Sequence, residues 1–149
     1  MLEGFQAGLA WIIVLRKREA FRKAFAGFDP RKVARFSAKK LSSLMRDEGI
    51  VRNRLKLASA VTNAKAFLAV QKEFGSFDAY LWKFVGGKPI TNHRQSLKDL
   101  PTRTAESDAL SKDLLKRGFK FVGSTICYAY MQAVGMADDH TNDCFRKRR

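Results

Sequence analysis

The stretch that most constrains the fold is Ser111 to Met131, SKDLLKRGFKFVGSTICYAYM, which reads as a helix, a tight glycine-bounded hairpin and a second helix. Leu114 and Leu115 end an apolar face, and Lys116-Arg117-Gly118 supplies the basic last turn and the glycine that stop a helix. Val122-Gly123 closes the hairpin, and Ser124 and Thr125 supply hydroxyls where the next helix needs its first amides satisfied. That helix, Ile126 to Met131, is mostly apolar and is expected to be buried. A buried helix whose amino end opens beside Lys116, Arg117 and Lys120 offers a seat for a phosphate, because free amides and the helix dipole both favour an anion. The same residues also suit an ordinary helical hairpin with a solvated basic corner.

Charge narrows the partner. The 149 residues hold 29 Lys and Arg against 14 Asp and Glu, a formal net charge of +15, which favours a polyanion: nucleic acid first, an anionic membrane surface second. Hydrophobic residues make up 46%, enough for a core, so a disordered basic tail is excluded. The longest apolar run, Leu9 to Leu15, stops at Arg16-Lys17-Arg18 and falls short of the roughly 20 residues that span a bilayer. The opening has no basic region before its apolar stretch, so no secretory signal is read. Two cysteines make no disulfide framework, and a reducing cytosol is the default.

Helices alternate with short punctuation. Periodic apolar residues predict one long helix over Glu3 to Phe25, with a basic face at Arg16, Lys17, Arg18, Arg22 and Lys23. No capping residue precedes it, which leads us to expect natural sequence upstream of Met1. Gly27-Phe28-Asp29-Pro30 stops it, a short helix follows over Val33 to Phe36, and Ser37 caps Ala38 to Asp47. A long helix is predicted from about Arg54 to Phe74, then one capped by Ser76 over Phe77 to Val85. Residues 86–103, with Gly-Gly and two prolines, read as a surface loop, and Thr104 to Leu115 leads into the hairpin. With no strand pattern, repeat or linker visible, the expected fold is all-α. One domain is expected over 1–149, with the hairpin at about 111–131 and a basic tail at 138–149.

Four segments carry a resemblance. Glu3-Gly4-Phe5-Gln6-Ala7-Gly8-Leu9-Ala10-Trp11, Phe28-Asp29-Pro30, Ser107-Asp108-Ala109-Leu110-Ser111, and Lys116 to Gly123 running on to Cys127-Tyr128 closely resemble DNA-3-methyladenine glycosylase I, of the helix-hairpin-helix DNA repair superfamily. The resemblance implies a monofunctional enzyme that removes 3-methyladenine from alkylated double-stranded DNA, the first step of base excision repair. It implies the hairpin as a minor-groove phosphate anchor through Lys116, Arg117, Gly118, Lys120, Gly123, Ser124 and Thr125. The hairpin departs from the superfamily's Gly-hydrophobic-Gly pattern, with Phe121 where the first glycine falls. A monomer in the cytoplasm, associated with the nucleoid through DNA, is expected.

An enzyme of this kind must take the base out of the stack and into a pocket. 3-Methyladenine is cationic while attached to its sugar, so a carboxylate and an aromatic face suit it. On one helix Glu3 and Trp11 would stand about 80° apart and two turns along, able to border one cavity. The resemblance makes Glu3 the base-recognising and catalytic carboxylate, Trp11 the stacking platform, and Leu9 a filler of the gap in the duplex. Asp138 and Asp139 fall where most of the superfamily places a catalytic Asp, but the resembled family does not depend on one, so Asp139 is expected to be a helix-end or tail residue.

His140 and Cys144 form H-x-x-x-C, which can put two ligands on one metal, although a structural zinc needs four. The resemblance supplies the other two, and further pocket aromatics, from an amino-terminal segment that this sequence lacks. Zinc is therefore a possible structural cofactor at an incomplete site, with no redox or organic cofactor expected. The alternative to an enzyme is a non-catalytic DNA-binding fragment or paralogue that keeps the hairpin anchor without a complete base pocket.

Overall fold

The computed structural model describes residues 1–147. Nine helices make up almost all of its regular structure: α1 Leu2–Gln6, α2 Trp11–Arg16, α3 Arg18–Ala24, α4 Pro30–Val33, α5 Ala38–Leu44, α6 Arg54–Phe74, α7 Phe77–Trp82, α8 Ala105–Lys116 and α9 Ser124–Ala133. The fold is all-α, as its pattern of apolar residues predicts.

The spine is α6. Asn53 caps it by accepting from the Lys56 amide at 3.0 Å, and Gly75, at φ 79°, ends it. Its 21 residues reach about 30 Å, far enough to serve two cores. Leu57, Ala60 and Ala64 face a first core of Phe5, Val14, Phe21, Phe25, Val33 and Ile50. Val70 faces a second, of Tyr80, Leu81, Leu110, Leu114, Phe119, Tyr128 and Met131. Rings meet edge-on and stacked within the first core, with Phe5 and Phe21 centroids 4.7 Å apart.

The amino-terminal region corrects the expectation of one long helix. The chain breaks at Gly8, φ 74°, and again at Lys17, leaving three short helices. Apolar residues on both sides of each break keep the helical period, so periodicity alone could not show the bends. The short helix begins at Pro30, not Val33, because the Asp29 carboxylate accepts from the amides of Arg31 and Lys32.

A two-stranded parallel ladder, β1 Ile90–Thr91 with β2 Ala137–Asp138, corrects the reading of residues 86–103 as a surface loop without regular structure and ties the start of the expected basic tail, 138–149, to it. Beyond β2, Asp139 is only 7% exposed and accepts from Asn92, Arg94, Tyr128 and Gln132. Arg148 and Arg149, the end of the expected basic tail, lie outside the described residues.

A candidate base pocket beside a basic hairpin

The hairpin forms for reasons visible in its bonds. At the end of α8 the Phe119 amide donates to the Leu114 carbonyl and the Gly118 amide to the Leu115 carbonyl, both at 3.0 Å, with Gly118 at φ 89°. That pattern closes the last carbonyls and needs the left-handed conformation glycine adopts at little cost. Ser111 Oγ then donates to the Val122 carbonyl at 2.7 Å, and Asn63 clamps the backbone of Lys120 through both its amide atoms, at 2.8 and 2.9 Å. Phe121, at the position noted for its missing glycine, takes φ 56° all the same. A non-glycine residue there stores about 1 kcal/mol of strain.

The amino end of α9 differs from expectation in one respect. Its N-cap is Gly123, and no side-chain hydroxyl caps it, so Ser124 and Thr125 do not close their own amides. Among the described residues, the amides of Ser124, Thr125 and Ile126 have no partner. Lys116 and Lys120, earlier in the same hairpin, are exposed. Arg117 does not join them. Its guanidinium grips Glu73 at 2.6 and 3.1 Å and Asp113 at 2.6 Å, and lies over the rings of Phe74 and Tyr80. The expected phosphate ligand is a tertiary clamp.

Next to the hairpin lies a cavity of about 560 Å³, where the two cores meet along α6. Phe28, Phe67, Phe77, Phe121 and Tyr130 supply aromatic wall, and both Glu3 and Trp11 line it. They stand on different helices, so the cavity joins them through the turn at Gly8 and not through one helical face. Glu3 is half-buried, and burial pushes its carboxyl above the ordinary range, against a pull from the chain's amino group. Trp11 remains 42% exposed at the rim. Burial and the charges of Asp78 and Glu3 hold the Tyr130 phenol up, so it stays neutral and able to hydrogen-bond. Cys127 also lines the cavity, but burial pushes its thiol up to about 11 and it donates to Val122, so it offers no nucleophile.

Leu9 sits in the turn between α1 and α2, where the Gln6 side chain donates to its carbonyl at 2.7 Å. Gly4 packs directly on the hairpin: a Cβ there would meet Phe121 at 3.6 Å. Helix α1 and the hairpin are thus in contact.

His140 and Cys144 stand apart from the cavity, with Nδ1 and Sγ 3.5 Å apart. Two ligands of one tetrahedral zinc are separated by about 3.6 Å, so the pair suits half a site. Among the described residues no third His, Cys, Asp or Glu completes a group that could hold a metal. Sequence reasoning missed Lys56, Asn63, Phe67, Phe77 and Tyr130. An aromatic or an amide at helical spacing gives no sign of which wall it will face.

Comparison with known proteins joins these parts. A family model described as methyladenine glycosylase matches residues 1–147. A DNA-3-methyladenine glycosylase of Haemophilus influenzae is 52% identical over 143 residues, 96% of this chain and 77% of that one. A crystal structure of 3-methyladenine DNA glycosylase I superposes with a TM-score of 0.96 at 47% identity, covering 99% of this chain and 81% of that one. A variant of such an enzyme in complex with 3-methyladenine also superposes at 0.96, with 38% identity and coverage of 99% and 80%.

Proposed function

The chain belongs to the methyladenine glycosylase family, and we infer that it removes 3-methyladenine from alkylated DNA by hydrolysing the N-glycosidic bond, in base excision repair. One observation carries the site: a carboxylate, Glu3, set in the wall of an aromatic cavity that touches a hairpin with open amides and free lysines.

Phosphates dock on the amides of Ser124 and Thr125, with Lys116 and Lys120 alongside and the tight backbone at Gly118 and Gly123 permitting close approach. Leu9, in the turn beside the cavity, fills the space that the extruded base vacates. Unstacking costs a few kcal/mol, least for a damaged base. The cavity is of ligand size and lined mostly by apolar and aromatic side chains, which suits a planar base. There the Glu3 carboxylate and the Trp11 face favour a ring that carries positive charge, which undamaged adenine does not.

The substrate's charge also sets how little chemistry the protein must supply. The base takes the bonding electrons as it leaves and becomes neutral, so it needs no proton. Water adds to the sugar's anomeric carbon, its proton passes to solvent, and an abasic site remains. Glu3 stabilises positive charge along this path. No general base is drawn from Asp139, whose carboxylate is filled by four donors and lies outside the cavity.

Zinc, if held by His140 and Cys144, would brace the carboxyl-terminal segment and take no part in base removal. The partner is duplex DNA with alkylated bases, and the protein acts on it as a monomer. No helix among the described residues is long and apolar enough to cross a membrane. Incubating the chain with methylated duplex and resolving the released bases tests the assignment. Free 3-methyladenine with uncut, abasic strands is expected, and intact methylated DNA would overturn it.

A further inference from the structure

The short α1, which carries Glu3, is not self-supporting. It has five residues and no side-chain cap, and a helix of that length is unstable alone. Its end is held from outside. Lys56 Nζ donates to the Phe5 carbonyl at 2.8 Å and to the Ala7 carbonyl at 2.5 Å. Among the described residues no backbone amide reaches either oxygen.

Lys56 is an odd residue for its place. It is 6% exposed, and among the described residues it forms no ion pair with a carboxylate. A buried ammonium without an acid is costly, and burial holds this one below its ordinary pKa. It also occupies the first turn of α6, where the helix dipole disfavours a cation. The carbonyl end of α1 gains from the charge, because a cation is favoured at that end of a helix. Residues that break a local rule concentrate where function needs them. Nζ also lies over the Phe121 ring, 5.8 Å from its centroid, in the hairpin that backs Gly4.

We propose that Lys56 is a positioning residue for base recognition: by gripping the carbonyl end of α1 between α6 and the hairpin, it fixes Glu3 in the cavity wall. The proposal rests on the assignment of Glu3 as the base-recognising carboxylate. Lys56 touches no reacting atom and acts through Glu3 alone.

That dependence is testable with a double-mutant cycle on Lys56→Met and Glu3→Gln, reading single-turnover excision from methylated duplex and the dissociation constant for undamaged duplex. Misplacing Glu3 by about an ångström should slow excision by at least about tenfold in Lys56→Met, with undamaged-duplex affinity within twofold of the parent. In the Glu3→Gln background the Lys56 change should cost nothing more. Losses that multiply, or an unchanged rate in Lys56→Met, would overturn the proposal. A parent-like rate in Glu3→Gln would instead overturn the assignment of Glu3 itself. If Lys56→Met does not fold, Lys56→Gln, which keeps a donor for one carbonyl, goes through the same cycle. An intermediate loss that vanishes without Glu3 is expected, and multiplying losses or no loss would again overturn the proposal.

Discussion

Arg117 grips the carboxylate of Glu73 through two hydrogen bonds, 2.6 and 3.1 Å long, across 44 residues of sequence. The most conspicuous cation of the hairpin is therefore committed to a tertiary contact, tying α8 to the end of α6, while Lys116 and Lys120 remain exposed.

Substitution separates these duties. Replacing Lys116 and Lys120 by Ala should weaken binding to undamaged duplex and reduce the slope of log affinity against log salt by about 1.8, two phosphate contacts' worth. Arg117→Met should leave that slope unchanged and lower Tm by roughly 5 °C. A reduced slope in Arg117→Met would return that residue to the DNA interface.

The same clamp sets an acid limit. Burial pushes Asp113 up, but hydrogen bonds from Arg117 and Tyr80 outweigh it, and the net value lies below the ordinary range; Arg117 also holds Glu73 down. A carboxyl with a depressed folded pKa adds stability that is present above its unfolded value, near 4, and lost as pH falls through the folded value. Glu3 has the opposite sign, since burial raises it. Its folded form resists ionisation, so Glu3→Gln should raise Tm at pH 7 and make no difference below about pH 4. A lowered Tm at pH 7 would show that Glu3 is held by a partner and not poised for a cation.

How far these features were legible depended on whether their cause is local. The span of α6 and the glycine stop at Gly118 follow from caps and turns written within a few residues, and both are legible there. The bends at Gly8 and Lys17 lie inside an unbroken helical period and were not. The roles of Arg117, Lys56 and Asn63 depend on partners 44 to 57 residues away, which no spacing rule reports. Glu3 and Trp11 share a cavity because the turn at Gly8 brings two helices together, whereas their spacing predicts one helical face.

Asp139 illustrates the difference between a buried acid and a catalytic one. Asp139→Asn leaves Arg94 without its counter-ion and should destabilise the fold by about 3 kcal/mol, the low end for a buried pair because Arg94 keeps some contact with water. Excision per folded molecule should stay within about threefold of the parent. A far larger loss in a well-folded variant would give Asp139 a part in bond cleavage.

Metal content follows from the donors present. With His140 and Cys144 paired and no group of three or more possible ligands among the described residues, elemental analysis should find well below one zinc per chain. Stoichiometric zinc that disappears in Cys144→Ser would show that further ligands join them.

Recognition of the charged base by Glu3, as proposed, is tested by comparing excision with DNA binding in Glu3→Gln. Loss of one charge-assisted contact should slow release of 3-methyladenine from methylated duplex by about 10- to 100-fold, while affinity for undamaged duplex stays within twofold of the parent. An unchanged rate of release, or an equal loss of rate and affinity, would contradict the role given to Glu3.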